Sequence, residues 1–67
     1  MKIILNNKEE SFAGDQFTIN ELLQVKNFTF KMLVIKVNGL IVKKGEFDST
    51  WVHDGDDVMV LHLISGG

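Results

Sequence analysis

The sequence predicts an α+β domain in which a sheet of about five strands packs on one helix. Three local patterns indicate this class. Thr18 and Glu21 have the spacing of a capping box and mark the start of a helix. Asn38 and Gly39 form a residue pair that is typical of a two-residue hairpin turn. Residues 58–65 are apolar at nearly every position, as in a strand that is covered on both faces.

The first half of the chain predicts a hairpin followed by the helix. Residues 1–5 form a strand that stops at an Asn-Asn pair, and residues 9–13 return as its partner. The helix begins at the N-cap Thr18 and extends to about Lys26, and Asn27 ends it. The apolar face of the helix contains Ile19, Leu22 and Leu23. After the helix, Phe28 and Phe30 are expected to fill the core.

The second half predicts three further strands, at residues 32–38, 40–42 and 58–65. Between the last two of these, residues 43–53 show no clear hydrophobic period. We therefore expect an irregular segment there, anchored in the core by Phe47 and Trp51. A turn at the sequence Asp-Gly-Asp then leads into the final strand.

The final strand predicts an apolar surface on the sheet. Val58, Val60 and His62 should face the helix, and the alternating side chains should project from the opposite face. One helix covers only one face of a sheet, so the second face should carry an apolar patch that suits a partner protein, or equally a second copy in a homodimer. The residues expected on that face are Ile4, Val34, Met59, Leu61 and Leu63.

Composition limits the functions that the chain can perform. With 67 residues there is room for a single domain, residues 1–67, and this size argues against an active-site cleft of its own. The absence of cysteine excludes disulfides, thiolate metal sites and a cysteine nucleophile. A net charge of −2 without any arginine argues against nucleic acid as a partner. No apolar run is long enough for a membrane span and no signal peptide is evident, so we expect a cytoplasmic protein.

The chain ends in Ser65, Gly66 and Gly67, which we call the tail. Because glycine lacks a Cβ, a Gly-Gly end can thread a narrow channel and place the carboxylate of Gly67 against a reactive group. The alternative is a frayed terminus without a function, since disorder concentrates at chain ends. We expect a flexible tail at residues 66–67 on a folded domain.

Several side chains have simpler interpretations than catalysis. Asp54, Asp56 and Asp57 could dock a basic surface or, with His53, hold a metal. They lack the ligand spacing of a calcium loop, so a solvated turn is favoured. His62 lacks neighbours in the sequence that would form a catalytic dyad, which favours a structural histidine. Lys43 and Lys44 fit either a partner contact or an ordinary surface.

The order of these motifs over nearly the whole chain resembles the ThiS family, the sulfur carrier proteins of thiamine biosynthesis. The residues that carry the resemblance are Val37-Asn38-Gly39, Ile41-Val42, Val52, Asp54-Gly55-Asp56, Val58, Ile64 and Gly66-Gly67, together with Thr18 and Glu21-Leu22-Leu23 at the helix start. The chain departs from the family pattern at Lys43, Phe47 and Trp51, where the family often has Pro, Trp and a smaller aliphatic residue. The resemblance implies a ubiquitin-like β-grasp fold, with a mixed sheet of about five strands on one helix.

The resemblance also implies a reaction cycle in which the protein is a cosubstrate and not an enzyme. An adenylating enzyme of the ThiF type would use ATP and magnesium to activate the Gly67 carboxylate, and a persulfide protein would supply sulfur to form a thiocarboxylate. Thiazole synthase of the ThiG type would then accept that sulfur for the thiazole ring of thiamine. The carrier itself would bind no cofactor, and the apolar face would dock its partners.

Three other functions fit the same sequence. The small subunit of molybdopterin synthase uses the same thiocarboxylate chemistry for another acceptor. A ubiquitin-like modifier would join Gly67 to lysines of target proteins. A β-grasp interaction module would carry an inert tail.

Overall fold

We describe the fold from a computed structural model that defines residues 1–29 and 32–62. The elements in this part of the chain are β1 (Lys2–Leu5), β2 (Lys8–Ser11), β3 (Gln16–Thr18), α1 (Ile19–Val25), β4 (Leu33–Val37), β5 (Leu40–Val42), a 3-10 helix (Lys44–Glu46), β6 (Trp51–His53) and β7 (Asp57–His62).

Five of the strands form one mixed sheet in the order β2, β1, β7, β4, β5. The strands β1 and β7 are parallel, and the other neighbouring pairs are antiparallel. The helix α1 packs on one face of this sheet through Ile19, Leu22 and Leu23. The predicted α+β class, with about five strands on one helix, is confirmed.

The helix has the predicted start and end. The Thr18 hydroxyl accepts a hydrogen bond from the Glu21 backbone N–H at 3.1 Å, and Glu21 Oε1 accepts one from the Thr18 N–H at 2.9 Å. This reciprocal pair is the capping box. At the other end, Asn27 has a φ of +57°, and the Phe28 N–H donates to the Leu23 carbonyl at 2.8 Å. These features are those of a Schellman motif, which stops the helix.

The two predicted hairpin turns are also present. Asn6 and Asn7 join β1 to β2 with φ values of +51° and +68°, and Asn38 and Gly39 join β4 to β5 with values of +52° and +83°. Positive φ at both central residues identifies type I′ turns, whose twist matches that of the paired strands.

The irregular segment predicted at residues 43–53 is wrong in its last part. There β6 pairs with β3 in a second, two-stranded sheet, with Val52 opposite Phe17. Val52 is completely buried, whereas Trp51, the expected anchor, is 46% exposed. Strands of three residues are too short to show a period, and pairing with a distant strand decides their structure.

The core lies between α1 and the inner face of the five-stranded sheet. Its members are Ile3, Leu5, Phe17, Ile19, Leu22, Leu23, Ile35, Val42, Val52, Val58 and Val60. The expected contributions of Phe28 and Phe47 are confirmed, because both pack against this cluster. Phe30 lies outside the described residues.

Candidate functional site

The strand β7 lies at the centre of the sheet and leads towards the tail. On one side it pairs with β4 as far as the Leu33–His62 pair. On the other side its parallel pairing with β1 ends at Leu5 and Val58. The predicted tail, Ser65 to Gly67, lies outside the described residues, as does the end of the predicted strand at residues 63–65.

Asn6 extends the contact between β1 and β7 beyond the last strand pair. Its backbone N–H donates to the Val58 carbonyl at 2.9 Å, and its side-chain Oδ1 accepts from the Val60 N–H at 2.7 Å. The Asn6 side chain thus bonds to β7 at Val60, beyond the last residue of β7 that pairs with β1. The sequence predicts Asn6 only as a turn residue, because no local pattern indicates a contact with a residue 54 positions away.

Four of the predicted docking residues lie on the sheet face opposite the helix, which we call the outer face. Val34 is directly opposite Leu61, and Met59 is two residues before Leu61 on the same strand. Ile4 lies between the buried Ile3 and Leu5 and therefore points to the outer face. Leu61 is 40% exposed, and the other three are half-buried. The fifth predicted residue, Leu63, is outside the described residues.

Ile41 is a further member of the outer face and is absent from the predicted docking residues. Ile41 is opposite Lys36, which is in turn opposite Met59, and its side chain is 66% exposed. The sequence does indicate the face of Ile41, because a two-residue turn at Asn38 and Gly39 fixes the register of β5 against β4.

Charged residues border the outer face unevenly. Glu9 and Asp57 are the strand neighbours of Ile4 on its two sides, whereas Lys36 lies between Met59 and Ile41. Lys2 approaches Glu9 at 3.9 Å, but both side chains are more than half exposed, so this ion pair contributes little to stability. The β1 side of the apolar patch therefore carries two acidic side chains, Glu9 and Asp57, against Lys2, and Lys36 lies towards β5.

The acidic turn before β7 uses its carboxylates to hold the backbone. Asp54 Oδ1 accepts from the Lys2 N–H at 2.7 Å, and Asp56 Oδ2 accepts from the His53 N–H at 2.8 Å. Asp56 Oδ1 also accepts from the Asn38 side-chain amide at 3.1 Å. These bonds explain the acidic sequence by local structure, as the turn interpretation expected.

Asn38 completes this network at the start of β7. Its Oδ1 accepts from the Asp57 N–H at 2.9 Å, and its own N–H donates to the Asp57 carbonyl at 2.7 Å. The Asn-Gly turn and the Asp-Gly-Asp turn are thereby joined side by side. The two motifs thus fix the beginning of the strand that carries the outer face.

Three further features of the described residues bear on function: possible metal ligands, His62 and the length of the helix. Across residues 1–29 and 32–62, no three His, Asp or Glu side chains form a group able to hold a metal ion. His62 lies on the helix side of the sheet, as expected, opposite Leu33, but its side chain is exposed at the end of β7 and is not part of the core. In the same ranges, no helix has the length and apolarity needed to cross a membrane.

The mixed five-stranded sheet, the single covering helix and the central last strand define a ubiquitin-like β-grasp protein. The chain belongs to the ThiS family, whose model matches residues 3–67. This match includes every residue of the tail.

Two solved structures of one organism are similar to the chain over its full length. The crystal structure of the thiamine biosynthesis protein ThiS from Geobacter metallireducens is 28% identical, with a TM-score of 0.90 and complete coverage of both chains. The solution structure of a thiamine biosynthesis protein from the same organism is 29% identical, with a TM-score of 0.81 and coverage of 88% of that chain. Among curated proteins, none matches the sequence significantly.

Family membership supports a role as a small sulfur carrier that works with partner enzymes. The family match spans the fold, the outer face and the tail, so the candidate site has two parts. One is the tail, and the other is the outer face.

Proposed function

We propose that the protein carries sulfur as a C-terminal thiocarboxylate on Gly67 and donates it to the thiazole ring of thiamine. The observation that carries this proposal is the family match over residues 3–67, which includes both the fold and the Gly-Gly tail. The location of β7 at the centre of the sheet supports it, since pairing with β4 as far as His62 and the bond from Val60 to Asn6 hold the strand that leads to the tail.

The first step activates the Gly67 carboxylate. A free carboxylate is a poor electrophile, so an adenylating enzyme of the ThiF type joins it to the α-phosphate of ATP and releases pyrophosphate. Magnesium in that enzyme offsets the charge of the phosphates. The carrier contributes a thin chain end, because two glycines without Cβ atoms can enter a narrow channel.

The second step replaces oxygen with sulfur. The terminal sulfur of a persulfide protein attacks the acyl carbon of Gly67, and AMP leaves. A thiol then attacks the resulting acyl disulfide, which leaves the thiocarboxylate and a new disulfide. Since the carrier has no cysteine, both sulfur reagents come from partners, and the thiocarboxylate finally passes its sulfur to thiazole synthase of the ThiG type.

The outer face is proposed as the surface that these enzymes bind. Its apolar centre at Val34, Met59 and Leu61, with Ile4, supplies area for burial, and its unequal charges orient the partner. Leu63 continues this face in the sequence towards the tail. Docking here places the reactive end next to the bound enzyme.

Intact-mass measurement tests the reaction directly. The protein is incubated with an extract of its own cells, ATP and a cysteine or sulfide source. We expect replacement of one oxygen by sulfur at Gly67. Attachment of the chain to other proteins would instead identify a ubiquitin-like modifier, and an unchanged mass under conditions that activate a known carrier would identify an inert module.

A growth test distinguishes the acceptors. Deletion of the gene should make growth depend on added thiamine, and the wild-type chain should restore growth without it. A deletion strain that loses molybdenum-enzyme activity and keeps thiamine independence would assign the chain to molybdopterin synthesis.

Substitution of Gly66 by Val tests whether the tail must be thin. We expect Gly66→Val to keep the unfolding midpoint of the wild type and to lose adenylation, measured as release of pyrophosphate by the activating enzyme. Gly45→Val is the matched control, because an added Cβ at Gly45 meets no atom within 4 Å. Normal adenylation of Gly66→Val would contradict threading of the tail.

Truncation of Leu61 tests the outer face. We expect Leu61→Ala to lower the rate of thiocarboxylate formation at limiting enzyme by about tenfold, the effect of losing one important interface contact. Leu40→Ala is the control, because Leu40 is 74% exposed and lies on the other side of the sheet. Equal rates for the two variants would argue against docking through the outer face.

A further inference from the structure

A second apolar surface lies on the helix side of the sheet, between α1 and the segment that joins β2 to β3. It is a pocket of about 320 Å³. Its apolar lining includes Phe12, Phe17 and Leu22, and the rings of the two phenylalanines pack edge to face with centroids 5.0 Å apart. Phe17 and Leu22 belong to the buried core, so the floor of this pocket is rigid.

Val25 forms one wall of this helix-side pocket and is 70% exposed. It is the last residue of α1, where a polar side chain would face water at lower cost. An exposed aliphatic side chain beside an aromatic floor is a favourable place for an apolar side chain of another molecule.

The rim of the pocket is acidic. Gln16 and Glu21 are its polar lining residues, and Asp15 precedes Gln16. Within residues 1–29 and 32–62, neither Glu21 nor Asp15 forms an ion pair with a cation. The nearby Lys26 instead holds Glu10 at 2.6 Å. The N-terminal ammonium of Met1 donates to the Phe12 and Gly14 carbonyls at 2.7 and 3.1 Å and so lies in the same segment as Asp15. Glu21 is therefore the lining carboxylate that has no cation partner among the described residues.

We propose that this pocket is a docking site for a partner protein segment that presents one apolar side chain next to a lysine or arginine. The apolar side chain would contact Phe12, Phe17 and Val25, and the cation would lie against Glu21. Charge complementarity selects this occupant over an acidic or purely apolar segment.

Two observations favour a protein side chain over a small metabolite. The volume is at the lower end of the range of about 300–1,000 Å³ found for small-molecule sites. The polar lining side chains, Gln16 and Glu21, lie at the rim, and the floor of Phe12, Phe17 and Leu22 has no polar side-chain group to orient a metabolite. A side chain held by its own backbone needs no such group.

The helix-side pocket and the outer face lie on opposite sides of the five-stranded sheet. A partner in the pocket would leave the outer face accessible. The proposal does not depend on the sulfur carrier reaction, and its test uses no enzyme.

The test is a titration of the isotope-labelled protein with blocked tetrapeptides, followed by amide NMR shifts. The first peptide contains phenylalanine followed by lysine between two alanines. The second has glutamate in place of lysine, and the third has serine in place of phenylalanine. We expect only the first to shift the amides of Gln16, Glu21 and Val25, and its affinity to fall as salt is added.

Two variants identify the contacts. Glu21→Gln keeps an oxygen acceptor for the capping box and removes the charge, so we expect the dissociation constant of the first peptide to rise about two- to fivefold, as for one exposed ion pair. Glu46→Gln makes the same change at the start of the 3-10 helix, outside the pocket, and should have no effect. Val25→Ser should abolish binding, whereas Ile41→Ser on the outer face should not.

The proposal is wrong if the lysine and glutamate peptides shift the same amides equally, if the shifts map to the outer face, or if no amide shifts at millimolar peptide. Equal effects of Glu21→Gln and Glu46→Gln would likewise exclude the acidic rim as the cation contact.

Discussion

Asparagine determines much of the backbone path at the scale of single residues. Across the described residues, the four non-glycine positions with positive φ are Asn6, Asn7, Asn27 and Asn38. Asparagine tolerates this conformation better than other side chains with a Cβ, because its amide can bond to the neighbouring backbone. Asn6 and Asn38 also bond to β7 through their side chains. Single residues thus fix both the turns and the strand that leads to the tail.

Substitution of Asn6 by Gly separates these two roles. Glycine keeps the positive φ but removes the acceptor for the Val60 N–H. We expect the free energy of unfolding to fall by about 1–3 kcal/mol, the cost of leaving a largely buried donor without its partner. Amide exchange at Val60 should accelerate in the same variant.

Asn7→Gly is the control for this change, because Asn7 occupies the same turn with a φ of +68° and is exposed. Its unfolding free energy should stay within about 0.5 kcal/mol of the wild type. If both variants lost the same stability, the turn and not the bond to Val60 would explain the effect.

At the scale of elements, α1 depends on its ends. A helix of seven residues is too short to be stable alone, so capping and packing must hold it. Thr18 supplies the cap, and it is also the last residue of β3, opposite Trp51. One residue therefore ends a strand and starts the helix, which sets the angle between the small sheet and α1.

Replacement of Thr18 by Ala tests the cap. We expect the free energy of unfolding, measured with urea, to fall by about 1 kcal/mol because the Glu21 N–H loses its acceptor. Ser49→Ala is the control, since the Ser49 hydroxyl donates to the Glu46 carbonyl on an exposed surface. A loss for Ser49→Ala as large as that for Thr18→Ala would contradict a specific role for the cap.

At the scale of the whole molecule, stability comes from one small core. Ile35 is fully buried at the centre of β4, between Val42 and Val60 on the neighbouring strands. The sheet face that contains Ile35 packs against α1, and the outer face therefore stays available to partners. The same strands therefore build the core and display the proposed docking residues on alternate positions.

Truncation of Ile35 to Ala should cost about 2–5 kcal/mol by removing buried methyl groups and leaving a cavity. Because small domains have only about 5 kcal/mol or somewhat more of stability, the variant should be partly unfolded at 37 °C, observed by circular dichroism. Ile41→Ala, on the next strand and 66% exposed, should unfold like the wild type. An equal loss in both variants would disprove the assignment of the core to the helix side.

The parts of the fold that local sequence predicts are those held by local bonds. The Thr18 and Glu21 pair, the Asn27 helix end and the two type I′ turns each depend on residues within a few positions of one another. The alternation of Val58 and Val60 with Met59 and Leu61 predicted the two faces of β7, since strand side chains alternate wherever the strand lies. The composition and the Gly-Gly tail by themselves predict a function at the chain end.

Tertiary structure alone decided the features that join distant parts of the chain. The pairing of Phe17 with Val52, the exposure of Trp51 and the bond from Val60 to Asn6 each involve partners that no sequence window contains. The helix-side pocket likewise forms where α1 meets the segment that joins β2 to β3, a contact that no local pattern indicates. Local bonding and alternation are determined by neighbours in sequence, whereas burial and long-range pairing depend on which surfaces meet when the whole chain closes around its core.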